Sequence, residues 1–445
     1  MTAGVRSPVL FRLVPRSSAR PSRRPSPSPS RPLNRVLSML APKGELLEAV
    51  GPEASPSDYL HVSSYAVLPN LPAARQLLPM DSRRAAGSSF RVRFAGQRRP
   101  IKAVSYGLLA RSLTAGAARV LPLDRVEVLQ LRGLPREELP QLLLADYLSE
   151  VLGTRVLLGA AAGARDAHQT VSMHALTGDG EPVGFVKVAW NDLTRRLLRD
   201  ESRTLQQLAT NPRLLLVRPP HVRHHATWGE FELLVTDPLP IRRRRRSSSG
   251  RPEVAAALEI ARSGRTQRVP IFESTYWQRT LHRVNTLRPH VEPRARETLD
   301  RAVFRFGTTD HQTVTDFGPW HGDCLPWNYS MQDGQLLAWD WEYASDAAPV
   351  GFDILHFYFG TSFFRDHRDG GSALRAAEQS GIPVLTSIGL DHPTARLHAG
   401  MYLLEMLLRR LDIVVHGGGA DDARFFPHVY DALEQSLGTA AVDPR

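Results

Sequence analysis

The segment at residues 320–342, WHGDCLPWNYSMQDGQLLAWDWE, constrains the fold more than any other part of the chain. Its centre holds the pair Asp333-Gly334 between two short apolar runs, which is typical of a tight β-hairpin turn. Because a hairpin folds the chain back on itself, we expect Asn328 and Asp340 to end near the same loop. The segment therefore predicts that polar side chains far apart along the chain converge at one edge.

Three oxygen-bearing side chains meet in this arrangement, since Asp323 lies in the loop before the first strand, expected at 328–331, and the second strand is expected at 336–339. Phosphoryl transfer needs such a set, because Mg²⁺ prefers hard oxygen ligands and takes others from phosphates. The protein then mainly positions groups and neutralises charge. We expect Asp323 to orient an acceptor hydroxyl and accept its proton, and Asn328 and Asp340 to hold the metal.

The same stretch resembles the catalytic loop of the aminoglycoside phosphotransferase family, small-molecule kinases of protein-kinase-like fold. The family pattern is His-Gly-Asp, four residues and Asn, followed later by Asp-Trp-Glu or Asp-x-Glu. The matching positions here are His321, Gly322, Asp323, Asn328, Asp340 and Glu342. The resemblance implies transfer of the γ-phosphate of ATP, with GTP as the alternative nucleotide, to a hydroxyl of an aminoglycoside, a sugar or an amino alcohol. It also implies that His321 belongs to the catalytic loop as a structuring residue rather than a base.

The resemblance extends over residues 141–445 and implies further nucleotide-binding residues. Lys187, in a predicted strand, matches the lysine that contacts the α- and β-phosphates, and Glu201 on the following helix matches its ion-pair partner. A lysine between apolar strand residues is costly to bury unless it is paired, whereas a snorkelling surface lysine is the alternative. A turn between Gly159 and Gly163 would cover the phosphates, and an ordinary turn is the alternative.

These elements predict an α+β, protein-kinase-like bilobal fold. An N-lobe with an antiparallel sheet and one helix is expected over residues 141–236, where the predicted order is strand, strand, strand, helix and strand. A mostly helical C-lobe with the catalytic loop is expected over 237–445. The resemblance places the nucleotide and Mg²⁺ between the lobes.

The first 140 residues lie outside the resemblance. Residues 1–40 are rich in Arg, Ser and Pro and are expected to form a disordered tail. Residues 41–140 are expected to form an accessory α/β segment of unknown role, with short strands at 65–68 and 90–94 and a helix over 101–120.

The net charge of +11 suggests a nucleic-acid partner, so its location matters. Residues 1–40 hold eight arginines and no acidic residue, and residues 242–246 are five consecutive arginines. Residues 251–445, by contrast, carry a net charge of −6. Because the basic residues belong to a tail and one loop rather than to a folded face, a small-molecule acceptor is favoured over nucleic acid.

The single cysteine, Cys324, excludes an internal disulfide framework and predicts a reducing, cytoplasmic setting. No apolar run is long enough to predict a membrane-spanning helix. Cys324 lies inside the catalytic-loop motif, but no base that would activate it is indicated. Among the other residues, Asp353 is expected either to bond the catalytic-loop backbone or to cap a helix.

The sequence Asp316-Phe317-Gly318 spells the metal motif of protein kinases, but it precedes the catalytic loop instead of following it. We therefore assign it no metal role. Two alternatives to an active kinase stay open at this point. One is a catalytically silent, nucleotide-binding regulatory protein, and the other is a nucleic-acid-associated protein that uses the Arg-rich tail.

Overall fold

The computed structural model describes residues 7–16, 30–47, 56–93, 100–162, 167–238, 252–365, 370–418 and 426–437. The chain divides into two compact units. The first comprises Met1–Arg165, Gln169–Leu198 and His221–Arg243, and the second comprises Asp166–His168, Arg199–Pro220 and Arg244–Arg445. The α+β prediction is confirmed, because the first unit is built on a large sheet and the second is mostly helical.

A ten-stranded sheet forms the frame of the first unit. Its strands are β1 (Val9–Val14), β2 (Gly44–Leu46), β3 (Tyr59–Leu68), β4 (Gln76–Pro79), β5 (Asp124–Leu131), β6 (Leu157–Ala161), β7 (Val171–Leu176), β8 (Pro182–Ala189), β10 (Val222–Trp228) and β11 (Phe231–Thr236). Their order in the sheet is β10-β11-β8-β7-β6-β4-β3-β5-β1-β2. Every neighbouring pair is antiparallel except β1 with β2.

The helices of the first unit are α1 (Arg31–Leu40), α2 (Arg83–Arg93), α3 (Pro100–Thr114), α4 (Ala117–Val120), α5 (Leu139–Leu142) and α6 (Leu144–Leu152). The long helix α7 (Asp192–Ala209) begins in this unit and ends in the second. From the sequence, Asn191 or Asp192 is the expected cap of this helix. The Asn191 side chain accepts a 2.8 Å hydrogen bond from the backbone N–H of Thr194, so Asn191 caps the helix.

The prediction of a disordered tail over residues 1–40 is wrong for the parts that the structure describes. Strand β1 pairs with β5 along its whole length, and α1 buries Leu33, Val36 and Leu37. The few apolar residues of the tail are spaced for one strand and one helix, and their partners lie about a hundred positions further along the chain. Composition alone does not reveal such long-range burial. Residues 17–29 lie outside the described residues.

The accessory segment is also not separate from the predicted N-lobe. Strand β4 pairs with β6 through Gln76 with Ala161 and Leu77 with Ala160, which joins the two parts into one sheet. The strand predicted at 90–94 is instead the end of helix α2 as far as residue 93. Phe90 there is buried and its ring meets Tyr106 of α3 edge-on at 5.8 Å. Packing of α2 on α3 overrides the β propensity of this short run.

The second unit contains β9 (Val217–Arg218), α8 (Pro252–Ser263), β12 (Gln267–Pro270), α9 (Thr275–Leu287), α10 (Pro293–Phe304), β13 (Val314–Trp320), β14 (Tyr329–Gln332), β15 (Gln335–Ala338), β16 (Ser345–Pro349), α11 (Phe352–Gly360), α12 (Gly370–Ser387), α13 (His392–Val415) and α14 (Phe426–Leu437). Two three-stranded sheets, β12-β13-β16 and β14-β15-β9, lie among the helices. The boundary predicted at residues 236 and 237 is displaced, because 199–220 belong to this unit. Across the described ranges, no helix combines the length and apolarity needed to cross a membrane.

Candidate active site

The predicted hairpin forms with each strand displaced by one residue. Strands β14 and β15 pair antiparallel, and the turn residues Asp333 and Gly334 have φ angles of 49° and 82°, as a type I′ turn requires. The backbone N–H of Trp339 donates to the carbonyl of Asn328 at 3.1 Å, so the two ends of the hairpin are adjacent. Asp340 is the next residue along the chain, and the predicted approach of the two ends is therefore confirmed.

The turn before the hairpin depends on a glycine. Gly322 has a φ of 82°, and a Cβ atom there would lie 2.1 Å from the carbonyl oxygen of Tyr343. Asp353, in the first turn of α11, accepts hydrogen bonds from the backbone N–H groups of His321 (2.7 Å) and Gly322 (3.0 Å). Asp353 thus bonds the backbone of the predicted catalytic loop, whereas the helix cap is Gly351. Burial raises the pKa of Asp353 to about 7, against the opposing effect of the two amide donors.

His321 is fully buried, and both of its ring nitrogens are used within the loop. Nδ1 accepts from the backbone N–H of Asp323 at 3.1 Å, and Nε2 lies 3.2 Å from the carbonyl of Trp339, to which it donates. The ring lies 4.3 Å from that of Trp341. Burial lowers the pKa of His321 to about 4, so the ring is neutral near pH 7. These contacts are those of a structuring residue.

The carboxylate of Asp323 receives one side-chain hydrogen bond on each oxygen. Asn328 Nδ2 donates to Oδ2 at 2.7 Å, and His356 Nε2 lies 3.1 Å from Oδ1. Burial by itself would raise the pKa of Asp323, but the hydrogen bond from His356 and the charge of Arg409 hold it below its usual value. Asp323 is therefore ionised near neutral pH. One fifth of its side chain stays exposed, so the carboxylate is accessible from solvent.

Two residues at this loop were missed by sequence reasoning. His356 lies one helical turn after Asp353 on α11, and that i, i+3 spacing is the signal that could have found it. Arg409 comes from α13 and donates to the carbonyl of Gly322 at 2.6 Å. Its guanidinium lies 4.2 Å from the centre of the Tyr343 ring. The apolar pattern of α13 does not indicate that Arg409 would bond the carbonyl of Gly322.

Three carboxylates gather beside the hairpin within the second unit. One carboxylate oxygen from each of Glu201, Asp340 and Glu342 lies within 4.8 Å of the others. The backbone N–H of Trp341 donates to Glu201 at 3.2 Å, and Asp340 has a φ of 73°, which is uncommon for a residue other than glycine. Such hard oxygen ligands fit Mg²⁺.

The side-chain oxygen of Asn328, Oδ1, is a further candidate ligand for Mg²⁺. Its Nδ2 donates to both the carboxylate and the backbone carbonyl of Asp323, so Oδ1 is the atom suited to a cation. The sequence did not predict that Glu201 lies with Asp340 and Glu342. The expected pairing of Glu201 with Lys187 stays a prediction.

Two of the predicted phosphate-binding residues, Lys187 and Gly159, lie in the sheet of the first unit. Lys187 lies in β8 between its neighbours Leu234 and Ser172 and is only 6% exposed, so it is not a snorkelling surface lysine. Gly159 lies within β6 instead of a turn, and a Cβ atom there would lie 1.9 Å from Ser89 Oγ. Close packing on α2 thus accounts for this glycine. Gly163 lies outside the described residues.

The Asp316-Phe317-Gly318 sequence lies in strand β13, where Asp316 pairs across the sheet with Arg268 at 3.1 Å. Cys324 is buried, and burial raises the pKa of its thiol well above the usual value, so it is not a nucleophile near neutral pH.

No family model matches the chain, and no curated protein matches it by sequence. Solved structures do match. The structural neighbours are aminoglycoside phosphotransferases and related small-molecule kinases. A thermostable mutant of aminoglycoside phosphotransferase APH(4)-Ia in its apo form is 12% identical with a TM-score of 0.43, over 67% of this chain and 99% of that one.

Two further neighbours have similar values. A putative fructosamine-3-kinase from Haemophilus somnus 129PT is 11% identical with a TM-score of 0.38, over 66% of this chain and 96% of that one. The amicoumacin kinase hAmiN, in complex with AMP-PNP, Ca²⁺ and Ami, is 13% identical with a TM-score of 0.36, over 59% and 86%. Because the identities are this low and the TM-scores are below 0.5, the reaction must be argued from the residues of the site.

Proposed function

We propose that the chain is a phosphotransferase that moves the γ-phosphate of ATP to a hydroxyl group of a small molecule, in the cytoplasm and with Mg²⁺. The observation that supports this most directly is the state of Asp323. Its carboxylate is ionised, partly exposed and bonded on each oxygen, in the same unit as the carboxylates of Asp340, Glu342 and Glu201. A fixed base beside a set of hard oxygen ligands is what phosphoryl transfer requires.

In the proposed reaction, Asp323 accepts a hydrogen bond from the acceptor hydroxyl and holds its oxygen in line with the γ-phosphorus. The oxygen–phosphorus bond forms as the bond from phosphorus to the ADP oxygen breaks, and Asp323 takes the hydroxyl proton. Asn328 Oδ1 and Asp340 would hold Mg²⁺, which neutralises charge on the phosphates when it is bound. Lys187 would contact the α- and β-phosphates.

The net charge of the second half of the chain favours one class of acceptor. Residues 251–445 carry a net charge of −6, which favours a cationic acceptor such as an aminoglycoside or an amino alcohol over a neutral sugar. The screen below therefore includes aminoglycosides, amino alcohols and sugars, because the net charge of a segment does not show where an acceptor binds.

A screen of nucleotide consumption tests the proposal. Full-length protein is incubated with Mg²⁺, ATP or GTP, and separate panels of aminoglycosides, sugars and amino alcohols. ³¹P NMR then identifies any new phosphate ester. We expect one panel to give a phosphorylated acceptor in equal amount to the nucleoside diphosphate. Saturable nucleotide binding without any ester would instead indicate the silent regulatory protein, and no nucleotide binding would contradict both readings.

A further inference from the structure

A chain of buried side chains leads from helix α13 to the proposed catalytic carboxylate. The hydroxyl of Tyr402 lies 2.9 Å from Nδ1 of His356, and Nε2 of His356 lies 3.1 Å from Oδ1 of Asp323. Tyr402 is 1% exposed and His356 is 5% exposed. Because both side chains are shielded from solvent, water cannot readily replace either hydrogen bond.

The directions of these hydrogen bonds follow from the chemistry of the three groups. The Asp323 carboxylate already accepts from Asn328 Nδ2 on one oxygen and lies 3.1 Å from His356 Nε2 on the other, and a carboxylate accepts hydrogen bonds, so Nε2 carries the hydrogen. Burial lowers the pKa of His356, which keeps the ring neutral and leaves Nδ1 without a hydrogen. Tyr402 must then donate to Nδ1, and burial holds the pKa of its phenol well above the usual value, so the hydroxyl hydrogen is retained.

We propose that His356, fixed in one tautomer by Tyr402, is a positioning residue that sets the orientation of the Asp323 carboxylate for phosphoryl transfer. This inference rests on the proposed function. Without His356, the only side-chain hydrogen bond to the carboxylate would be the one from Asn328 to Oδ2, and the carboxylate could rotate about it. With His356 on Oδ1, both oxygens are restrained, and each keeps a lone pair for an acceptor hydroxyl.

The charged and titratable groups around His356 are few. Among the described residues, they are Asp323 and Tyr402, which bond its two ring nitrogens, the buried ring of His321, and Arg409, which faces the same loop from α13. Arg409 already donates to the carbonyl of Gly322, so it supplies charge without replacing the hydrogen bond from His356. The role of His356 is therefore that of a neutral donor, and not that of a second base.

Nitrogen-15 NMR of histidine-labelled full-length protein tests the geometry without any substrate. The resonance that disappears in His356→Gln identifies the residue. We expect a neutral ring protonated at Nε2, whose signal shifts in both Asp323→Asn and Tyr402→Phe. Tyr59→Phe is the matched control, since it removes another buried tyrosine hydroxyl, bonded to the carbonyl of Ser7, in the first unit. A signal that indicates the other tautomer, or that ignores Asp323→Asn, would overturn the proposal.

Kinetics with Mg-ATP then test the role, with the acceptor found by the screen or with water as acceptor. We expect His356→Leu to lower kcat about 10–100-fold with little change in the KM for nucleotide, and His356→Gln, which keeps an N–H donor, to restore most of it. The double variant His356→Leu/Asp323→Asn should be no slower than Asp323→Asn alone. His398→Gln, at a histidine equally buried but bonded to Thr315 and Val350, controls for lost stability.

The outcomes separate the two levels of the account. Additive losses in the double variant, or equal losses in His356→Leu and His398→Gln, would show a purely structural role and overturn the inference. If no nucleotide is turned over while the NMR result holds, the hydrogen-bonded chain is real, but the proposed function fails and the role of His356 in transfer fails with it.

Discussion

Replacing Asp353, the one carboxyl residue of helix α11, by alanine should loosen the loop that contains His321 and Gly322. The side chain accepts from two backbone N–H groups, those of His321 and Gly322, in a buried setting. Each buried amide left without an acceptor costs about 1–3 kcal/mol. The alanine variant also removes a carboxyl group that burial makes costly to ionise, so we expect a net loss of about 3 kcal/mol.

Two assays measure this loss of stability in Asp353→Ala. Denaturant unfolding gives the change in the free energy of unfolding, and hydrogen exchange of the peptide containing residues 320–323 gives the local effect, roughly a hundred-fold faster exchange for about 3 kcal/mol. Asp391→Ala is the matched control, because Asp391 is exposed and caps α13 through one bond, to the N–H of Thr394 at 2.7 Å. That cap is worth about 1 kcal/mol. An Asp353→Ala loss no greater than that of the control, with loop exchange unchanged, would refute the reasoning.

Two further predictions concern stability. Gly322→Ala should lower the free energy of unfolding by about 2 kcal/mol or more, because the residue has a φ of 82° and the new Cβ would lie 2.1 Å from the Tyr343 carbonyl oxygen. Gly334→Ala is the control: it has the same φ but nothing near the new Cβ, so it should cost about 1 kcal/mol. Equal losses in the two variants would contradict this prediction. Burial lowers the pKa of His398 to about 4, so the unfolded chain takes up this proton first and stability falls as the pH drops from about 6.5. Between pH 7 and 4.5 the wild type should therefore lose about 2–3 kcal/mol more than His398→Gln, as measured by denaturant unfolding at each pH, and parallel curves would refute the assignment.

Local signals predicted the centre of the site. The Asp333-Gly334 turn and the short runs beside it act within about a dozen residues, so the hairpin and the approach of Asn328 to Asp340 could be predicted from the sequence. The cap at Asn191 is local in the same sense. These features depend on turn geometry and side-chain spacing, which one segment of chain contains in full.

Features that depend on distant packing could not be predicted in this way. Strand β1 finds its partner β5 more than a hundred residues later, and β4 pairs with β6 across about 85 residues. His356 and Arg409 reach the catalytic loop only because α11 and α13 pack beside it. Gly159 appeared to belong to a turn because its contact with Ser89 is invisible in the sequence.

The central claim is that Asp323 serves transfer and Asp340 serves metal-nucleotide binding. Calorimetric titration of Mg-ATP, with turnover measured on the same samples of wild type, Asp323→Asn and Asp340→Asn, tests it most directly. Asp333→Asn, the same exchange at the exposed hairpin turn, is the matched control.

We predict that Asp323→Asn keeps the wild-type Kd within about threefold while turnover falls about 10²–10⁴-fold, and that Asp340→Asn weakens binding as well. The control should match the wild type in both. Wild-type turnover in Asp323→Asn, or wild-type nucleotide affinity in Asp340→Asn, would contradict the account.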